Sequence, residues 1–425
     1  MSRVLVIGGG GREHALVRAL MRSPSRPQIL AAPGNAGIAH DRVPCLAVEP
    51  EDVHDVVRVA RDEAVDLVVV GPEAPLAAGV VDALGEAGIT AFGPSAAAAR
   101  IESSKAYAKE LMRDVGVPTA PSTVLHSREE ALAHLPCASY PAVLKADVLA
   151  AGKGVVIAQD EREAREAVDL FFTEERFGPT EVVLEAFLEG EELSLLALCD
   201  GERAVPLAPA RDYKRIRDGD QGPNTGGMGS FSPVPGVDPE HAIVLARAFH
   251  QPVVDELRRR GTPYHGVLYA GLMMTAQGPR VLEYNCRFGD PEAQAVLPRL
   301  RSDLVDLLER STRTGGLEGV AIEWSSDWAV TVVLASRGYP EAPSSGDEIT
   351  GLRSIDSLET EVLHAGTRRI DGKVVTAGGR VLNVTGFGPT AEEARSRAYR
   401  AADRIRFRGK QVRRDIALSA ARAAR

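Results

Sequence analysis

Short apolar runs alternate with amphipathic runs through the first hundred residues. Runs such as "RVLVIG", "QILAAPG" and "VDLVVVGP" end at Gly or Pro, whereas "REHALVRALMR" and "EDVHDVVRVARDEA" repeat apolar residues every three or four positions. Continuous apolar strands separated by amphipathic helices are typical of a parallel sheet covered on both faces. The pattern predicts a doubly wound α/β domain over residues 1–102.

The pattern changes after this domain. The segment "IESSKAYAKELMRDVGVPTAPS" predicts a helix that is capped by serine and ended by Gly116 and Pro118. Strand-rich runs follow, then strands around a long polar loop at 211–236, and finally strands with the helix "TAEEARSRAYRAADRIRF". We expect the end, "SAARAAR", to be a frayed tail. The predicted division is a linking helix and hinge at 103–122, then domains at 123–190, 191–327 and 328–425.

Composition excludes several classes of protein. The net charge is −9, and no Lys/Arg run is interleaved with aromatic residues, which argues against a nucleic-acid partner. The four cysteines lie far apart without C-x-x-C spacing, so neither a disulfide scaffold nor a zinc site is expected. The amino terminus lacks a signal-peptide pattern, and no segment approaches the ~18 apolar residues of a membrane span. We expect a soluble, cytoplasmic protein that does not bind a membrane.

The glycine-rich run "VIGGGGREH" follows a predicted strand and opens a predicted helix. It fails the dinucleotide pattern G-x-G-x-x-G, because Glu13 or His14 occupies the third glycine position in the two possible frames. Two interpretations stay open: a helix amino terminus that binds one phosphate through Gly10, Gly11 and Arg12, or a tight turn with a structural role.

A second glycine loop lies in "VLKADVLAAGKGVVIAQD", between two predicted strands. A P-loop needs Gly-Lys followed by Ser or Thr and a helix, but Gly154 follows Lys153 here and leads into a strand. The common nucleotide motif is therefore excluded. A loop that joins two strands over a phosphate is still compatible with the sequence.

Two acidic runs are candidates for nucleotide and metal binding. In "VVLEAFLEGEELSL", Glu192 suits a ribose, although a solvated acidic turn is the simpler interpretation. In "RVLEYNCRFGDPE", Glu283 and Asn285 share one face of a strand and Tyr284 takes the other, because side chains alternate. A carboxylate and an amide oxygen, completed by phosphate oxygens and water, can hold Mg²⁺.

The run "RDYKRIRDGDQGPNTGGMGSFSP" shows no apolar periodicity. It predicts a long loop, which is either disordered or functional.

Ten segments stand together in one order: "GGGGREHAL", "APGNAG", "VGPEAPL", "FGPS", "SSKAYAKE", "LAAGKGV", "GPNTGGMG", "LYAGLM", "EYNCRFGDPE" and "HAGT". In this order the chain resembles the phosphoribosylamine–glycine ligase family of the ATP-grasp superfamily. The resemblance implies an N-terminal doubly wound parallel-sheet domain, a small strand-rich lid domain, a central α+β domain and a C-terminal α/β domain. It also implies a monomer that joins glycine to 5-phosphoribosylamine through glycyl phosphate, consuming ATP, in purine biosynthesis.

The resemblance also implies roles for individual residues. Lys105 and Lys145 would hold the ATP phosphates, and Lys145 would act with Arg287 in catalysis. The remaining ATP contacts would come from Lys153 and Gly154 in a lid loop and from Glu185, Phe187 and Glu192 at adenine and ribose. Glu283 and Asn285 would hold Mg²⁺ or Mn²⁺. The substrate site would comprise Gly10, Gly11, Arg12, Asn35, Glu73, Asp212, Lys214, Asn224, Gly226, Gly227 and Asp290.

Alternatives to these roles follow from the same residues. Arg287 can instead form a structural ion pair, with Asp290 as its candidate partner. The family motif reads Lys-Ala-Asp-Gly-Leu, and this chain has Val148 at the glycine position. A positive φ there would cost about 1–3 kcal/mol and impair ATP binding. A second departure, Ala186 in place of a common glutamate, matters less if backbone atoms contact the adenine.

Three rival functions stay open at this level. The chain can be another ATP-grasp carboxylate–amine ligase or a biotin-dependent carboxylase, a non-catalytic nucleotide-binding protein, or a scaffold without enzymatic activity. The runs "GPNTGGMG" and "GGGGREH" favour the glycine ligase.

Overall fold

The structure is a computed structural model that describes residues 2–150, 154–174, 176–352, 355, 357 and 359–423. The chain begins with a four-stranded parallel sheet in the order β2-β1-β3-β4, which we call the first sheet. Its elements are β1 (Arg3–Gly8), α1 (Gly11–Met21), β2 (Gln28–Pro33), α2 (Ala36–His40), α3 (Val53–Asp62), β3 (Leu67–Val70), α4 (Glu73–Ala77), α5 (Val80–Glu86), β4 (Thr90–Phe92) and α6 (Ala96–Ser103).

The central strand of the first sheet is buried on both faces. Val4, Leu5, Val6 and Ile7 are all inaccessible to solvent, and alternate residues pack into two separate hydrophobic clusters. A strand covered on both faces needs apolar residues at every position, which is why its sequence does not alternate. The predicted doubly wound α/β architecture is confirmed here.

A second, antiparallel sheet follows in the order β5-β8-β6-β7, with its own apolar cluster. Ser104 caps the helix that leads to it by accepting from the Tyr107 backbone N–H at 3.1 Å, and Gly116 takes a left-handed φ of 69° after its end. The elements are α7 (Lys105–Asp114), β5 (Ser122–Leu125), α8 (Arg128–His134), β6 (Ala142–Ala146), β7 (Val155–Ala158), α9 (Glu161–Phe172) and β8 (Val182–Ala186).

The chain then crosses into a third, antiparallel sheet in the order β10-β9-β15-β16. Strands β9 and β15 pair along ten residues each and form the buried centre of this sheet. The elements are β9 (Glu191–Asp200), β10 (Ala204–Pro206), β11 (Arg211–Asp212), β12 (Arg215–Arg217), β13 (Gln221–Asn224), β14 (Gly229–Ser232), α10 (Pro239–Phe249), α11 (Gln251–Arg259), β15 (His265–Thr275), β16 (Gly278–Asn285), α12 (Glu292–Val296) and α13 (Leu304–Ser311).

The polar run at 211–236 is not a structureless loop, so that prediction was wrong. Strands β12 and β13 form a short hairpin, and β11 and β14 pair with each other. The buried Arg413 holds the hairpin from a distant part of the chain, because its guanidinium donates to the Arg215 carbonyl and to Asp220. These strands are stabilised by distant partners, which local periodicity does not reveal.

A fourth sheet, in the order β11-β14-β17-β21-β18, joins the two short strands to the carboxyl-terminal part of the chain. The prediction of a frayed tail was also wrong for the residues up to 423, because a helix forms there and Ala420 and Ala421 are buried. The elements are β17 (Trp328–Ala335), β18 (Thr360–His364), β19 (Thr367–Ile370), β20 (Lys373–Thr376), β21 (Arg380–Gly388), α14 (Ala391–Arg404) and α15 (Leu418–Ala423).

Among the described residues, no helix has both the length and the apolar character that a membrane-spanning segment requires.

Candidate active site

A cavity of about 780 Å³ lies where the second, third and fourth sheets meet the first. Its walls include α7, β6, the β8–β9 crossover, β11, the turn after β13, and the end of β16. The predicted residues that line it are Arg12, Glu73, Lys105, Lys145, Gly154, Glu185, Phe187, Glu192, Asp212, Lys214, Asn224, Gly226, Glu283, Asn285, Arg287 and Asp290.

Two buried lysines share one carboxylate in this cavity. Lys145 Nζ lies 2.9 Å from Glu185 Oε1 and donates to the Leu282 carbonyl, while Lys109 Nζ lies 3.1 Å from Glu185 Oε2. Burial lowers the pKa of Lys109 to about 8, with Glu185 opposing the shift. Sequence reasoning missed Lys109, although it follows Lys105 by one helical turn on α7 and therefore shares its face.

Lys105 contacts the backbone at the position that departs from the family pattern. Its Nζ donates to the Val148 carbonyl at 2.8 Å, and burial lowers its pKa. Val148 is not among the residues with positive φ, so the condition for the expected strain is not met. Lys153 lies outside the described residues. At Gly154, a Cβ would come within 2.8 Å of Ala150 Cβ, so this close approach favours a glycine.

The end of β16 presents the predicted metal ligands. Glu283 and Asn285 both line the cavity, and the side chain of Tyr284 between them is buried and donates to the Phe249 carbonyl. The Lys214 ammonium, 3.2 Å from Glu283 Oε1, lowers the pKa of Glu283 to about 2 against the effect of burial. The Asn285 side chain makes no hydrogen bond to another described residue. One ionised carboxylate and one free amide fit a cation that takes its other ligands from phosphate and water.

Arg287 is held by two carboxylates behind this strand end. Its Nε lies 3.0 Å from Glu73 Oε2, and its Nη2 lies 3.0 Å from Glu102 Oε1. The charges of Arg287 and Arg12 lower the pKa of Glu73 to about 2, although burial opposes this shift. The prediction that Arg287 pairs with Asp290 was wrong, because its partners are Glu73 and Glu102. Sequence reasoning also missed Glu102, which is buried and accepts from the Cys286 backbone N–H at 2.6 Å.

Asp290 pairs instead with a residue from the fourth sheet. Arg380 Nη1 lies 3.3 Å from Asp290 Oδ1, and Gln294 Nε2 donates to the same oxygen at 2.7 Å. Arg380 also donates to the Gly226 carbonyl and lines the cavity. No local pattern in the sequence marks Arg380, because its partners lie far from it along the chain.

Part of the amino-terminal glycine loop is hydrogen-bonded within the protein. The Gly10 N–H donates to Glu13 Oε2 at 2.6 Å, and Arg12 Nε donates to Glu13 Oε1 at 2.6 Å. Asn35 caps α2 and donates to the carbonyls of Gly9 and His364 at 2.9 and 2.8 Å. Of the predicted substrate residues, those that do not line the cavity are Gly10, Gly11, Asn35 and Gly227.

Gly227 instead allows the cavity residue Asp212 and the neighbouring Pro291 to pack closely against the backbone. Its φ is 108°, and a Cβ would lie 2.6 Å from Asp212 Oδ1 and 2.4 Å from Pro291 Cδ. Burial raises the pKa of Asp212, and the charge of Glu292 raises it further. Sequence reasoning missed Glu292, which is buried at the start of α12 and lines the cavity.

The chain was compared with known proteins. The N, ATP-grasp (A) and C domain models of phosphoribosylglycinamide synthetase match residues 2–102, 103–293 and 329–419. The phosphoribosylamine–glycine ligase of Streptomyces coelicolor is 51% identical and aligns over 99% of this chain and 100% of its own. The protein of the same name from Agrobacterium fabrum is 48% identical, with 97% of each chain covered.

Solved structures show the same relationship. The phosphoribosylamine–glycine ligase of Thermotoga maritima has a TM-score of 0.83 at 38% identity, covering 97% of this chain and 100% of that one. Biotin carboxylase from Campylobacter jejuni has a TM-score of 0.72 at 15% identity, covering 99% and 95%, and shares the fold alone. The chain belongs to the phosphoribosylglycinamide synthetase family.

Proposed function

We propose that this protein joins glycine to 5-phosphoribosylamine through glycyl phosphate, converting ATP to ADP and phosphate and giving glycinamide ribonucleotide. One observation supports this function above the others: Lys105, Lys145, Glu283, Asn285 and Arg287 all line a single cavity. Two lysines, two oxygen ligands and an arginine are the groups needed to hold a triphosphate with its cation and to stabilise a transferred phosphoryl group.

The ATP side of the cavity begins at the two lysines. Lys105 and Lys145 would contact the phosphates, and the lid loop with Lys153 and Gly154 would cover them. Phe187 and Glu192, on the crossover between the second and third sheets, would contact adenine and ribose. Glu185 has a more indirect role, because its carboxylate is already held between Lys145 and Lys109.

Glu283 and Asn285 would hold Mg²⁺ or Mn²⁺. When bound, the cation would neutralise charge on the phosphates. Glu283 is prepared for this role because Lys214 keeps it ionised. The Lys214 ammonium also lies 3.1 Å from Glu192 Oε2, so it links the proposed metal ligand to the proposed ribose contact.

The chemistry needs no nucleophile from the protein. A glycine carboxylate oxygen would attack the γ-phosphorus and release ADP, and the amine of phosphoribosylamine would then attack the acyl carbon and release phosphate. Positioning of this kind can lower a barrier by ~7–11 kcal/mol. Arg287 and Lys145 would stabilise the charge on the transferred group, and exclusion of water by the lid would protect the acyl phosphate from hydrolysis.

The remaining predicted residues would surround the two small substrates. Arg12, Glu73, Asn224, Gly226 and Asp290 line the cavity beside Arg287 and Arg380. Four of the predicted residues lie outside the cavity lining and would have an indirect role. They would fix the backbone that carries the lining side chains: Gly10, Gly11, Asn35 and Gly227. We further propose a cytoplasmic monomer without a nucleic-acid or membrane partner. We also propose that the domain boundaries follow residues 102, 122, 190 and 327.

An assay of ADP release tests this function. The purified chain would be incubated with ATP and Mg²⁺, and ADP release should require both glycine and phosphoribosylamine. Lys145→Met should abolish turnover, whereas Lys373→Met, at an exposed surface pair, should not. ADP release with bicarbonate and biotin, or with another amine, would indicate a different ATP-grasp enzyme. Nucleotide binding without turnover would indicate a non-catalytic protein.

A further inference from the structure

The acidic residues that line the cavity differ in their pairing. Most have a lysine or arginine partner within salt-bridge distance, as Glu185 has with Lys145 and Asp290 has with Arg380. In the described part of the chain, two lining carboxylates have none: Asp212 and Glu292. The acids that do have such a partner are Glu73, Glu102, Glu185, Glu191, Glu192, Asp220, Glu283 and Asp290.

Glu292 is buried and held in a fixed orientation. Only 3% of it is exposed, and its Oε1 accepts a hydrogen bond from Ser194 Oγ at 2.8 Å. Because Ser194 donates there, the Tyr269 hydroxyl, 3.0 Å from Ser194 Oγ, donates to the serine. The second oxygen of Glu292 makes no hydrogen bond to another described residue. This carboxylate is therefore positioned by the protein but only half satisfied.

Asp212 is half-buried, and one of its carboxylate oxygens is likewise without a partner in the described part of the chain. Its Oδ1 accepts from the Tyr213 backbone N–H at 2.6 Å, and its Oδ2 has no partner among the described residues. Neither nearby cation lies within salt-bridge distance of the pair, since Lys214 contacts Glu192 and Glu283 and Arg380 contacts Asp290. Two neighbouring carboxylates that are screened from water and have no salt-bridge partner among the described residues are unfavourable in the ionised form, and the pKa of Asp212 is raised accordingly. A cationic ligand beside both would stabilise their ionised form.

We propose that Asp212 and Glu292 bind the α-ammonium group of the amino-acid substrate. This subsite, which rests on the function proposed above, would anchor glycine by its ammonium and leave its carboxylate free to face ATP. An ammonium presents three N–H donors, and the free oxygens of Asp212 and Glu292 are acceptors. The subsite selects an amino acid over a hydroxy acid or a simple carboxylic acid, because these ligands would leave both carboxylates without a counterion.

A metal ion is a poorer occupant of this subsite. Calcium takes six to eight oxygen ligands, and magnesium requires near-octahedral coordination. Tyr269 also lines the cavity, and two carboxylates beside its hydroxyl suit a small organic cation better.

Binding measurements with two matched ligands distinguish this subsite from the rest of the cavity. Glycine and glycolate, which differ only in ammonium against hydroxyl, would be titrated by calorimetry into protein saturated with a non-hydrolysable ATP analogue and Mg²⁺. The wild-type chain should prefer glycine. In Glu292→Gln and Asp212→Asn, glycine affinity should fall by about 10- to 100-fold, since charged hydrogen bonds of this kind are lost. Glycolate affinity and the affinity for the ATP analogue should change little.

The ratio of the two affinities is measured within each variant, so partial misfolding does not imitate the result. Glu323→Gln, at an exposed glutamate without an ion pair among the described residues, is the matched control and should keep the wild-type ratio. An unchanged ratio in both Glu292→Gln and Asp212→Asn would overturn the subsite. If the wild-type enzyme still releases ADP with glycine and phosphoribosylamine in that case, the proposed function survives and only the subsite is refuted. If it does not, the proposed function fails separately.

Discussion

Two polar regions at strand ends, one after β1 and one at the end of β16, use their side chains in opposite ways. After β1, the Gly10 N–H donates to Glu13, and the Asn35 amide donates to the carbonyls of Gly9 and His364. At the end of β16, Asn285 has no described partner and Glu283 has one cation. Glycines and charges alone therefore do not identify a binding site. The informative observation is which buried polar groups the protein leaves without a partner.

Arg287 is close to both regions, and its replacement should have the largest effect on stability. Replacing it in Arg287→Met leaves the buried Glu102 without a cation and leaves Glu73 with Arg12 alone, 3.8 Å away. Breaking a buried ion pair from one side typically costs about 3–5 kcal/mol of unfolding free energy. Urea unfolding should show this loss, whereas Arg310→Met, at an exposed pair with Asp306, should change stability by less than ~1 kcal/mol. Equal effects in the two variants would show that Arg287 is not held as the geometry indicates.

Glu283 should respond in the opposite way, with a large loss of activity and little loss of stability. In Glu283→Gln the proposed metal ligand loses its charge, and we expect kcat/KM to fall by roughly 100-fold, or about 2.7 kcal/mol. The Mg²⁺ concentration for half-maximal activity should rise. Glu323→Gln provides the control. A normal Mg²⁺ dependence in Glu283→Gln would remove this residue from the proposed metal site.

The region after β1, where Asn35 and His14 contact the backbone of His364, should make stability depend on pH. Burial lowers the pKa of His364 to about 3, and its backbone N–H donates to His14 Nδ1. Because the unfolded chain binds a proton near pH 6.5 that the folded chain does not, this contribution to stability decreases as the pH falls below 6.5. By pH 5 the loss from His364 alone should be about 2 kcal/mol. Urea unfolding of wild type and His364→Gln at pH 5 and 7.5 measures the difference, and parallel losses in both proteins would contradict it.

Glu13 gives a smaller test of the same region. Its carboxylate accepts from the Gly10 N–H and from Arg12 Nε, so Glu13→Gln should cost about 1–2 kcal/mol of stability. The variant also tests the phosphate interpretation of this loop. If the loop binds a substrate phosphate, removal of the competing carboxylate should tighten the binding of inorganic phosphate, which calorimetry can detect. If its role is structural, only stability should change.

The sequence revealed features that depend on neighbouring residues. The apolar runs predicted the parallel first sheet, and strand alternation placed Glu283 and Asn285 on one face of β16. It did not reveal partners that are brought together by the fold. Arg380 reaches Asp290 from another sheet, and Glu102 reaches Arg287 from the end of α6.

The error at 211–236 has the same origin. Its strands are short and polar, and β14 is stabilised by pairing with β17, about a hundred residues later in the chain. The helix at 418–423 is likewise stabilised by burial of two alanines rather than by its own length. Local patterns fail where the stabilising contacts are distant in sequence.

The smallest effect is expected at Val148, where the family pattern has glycine. The residue avoids the left-handed region, and it contributes its carbonyl, not its side chain, to Lys105. Val148→Gly should preserve this hydrogen bond, and added backbone freedom should cost only about 0.5–1 kcal/mol of stability. We expect the ATP KM and kcat to stay within about twofold of wild type, because the ground-state contact is unchanged. A tenfold fall in the ATP KM would show instead that the valine holds the loop in a conformation that opposes ATP binding.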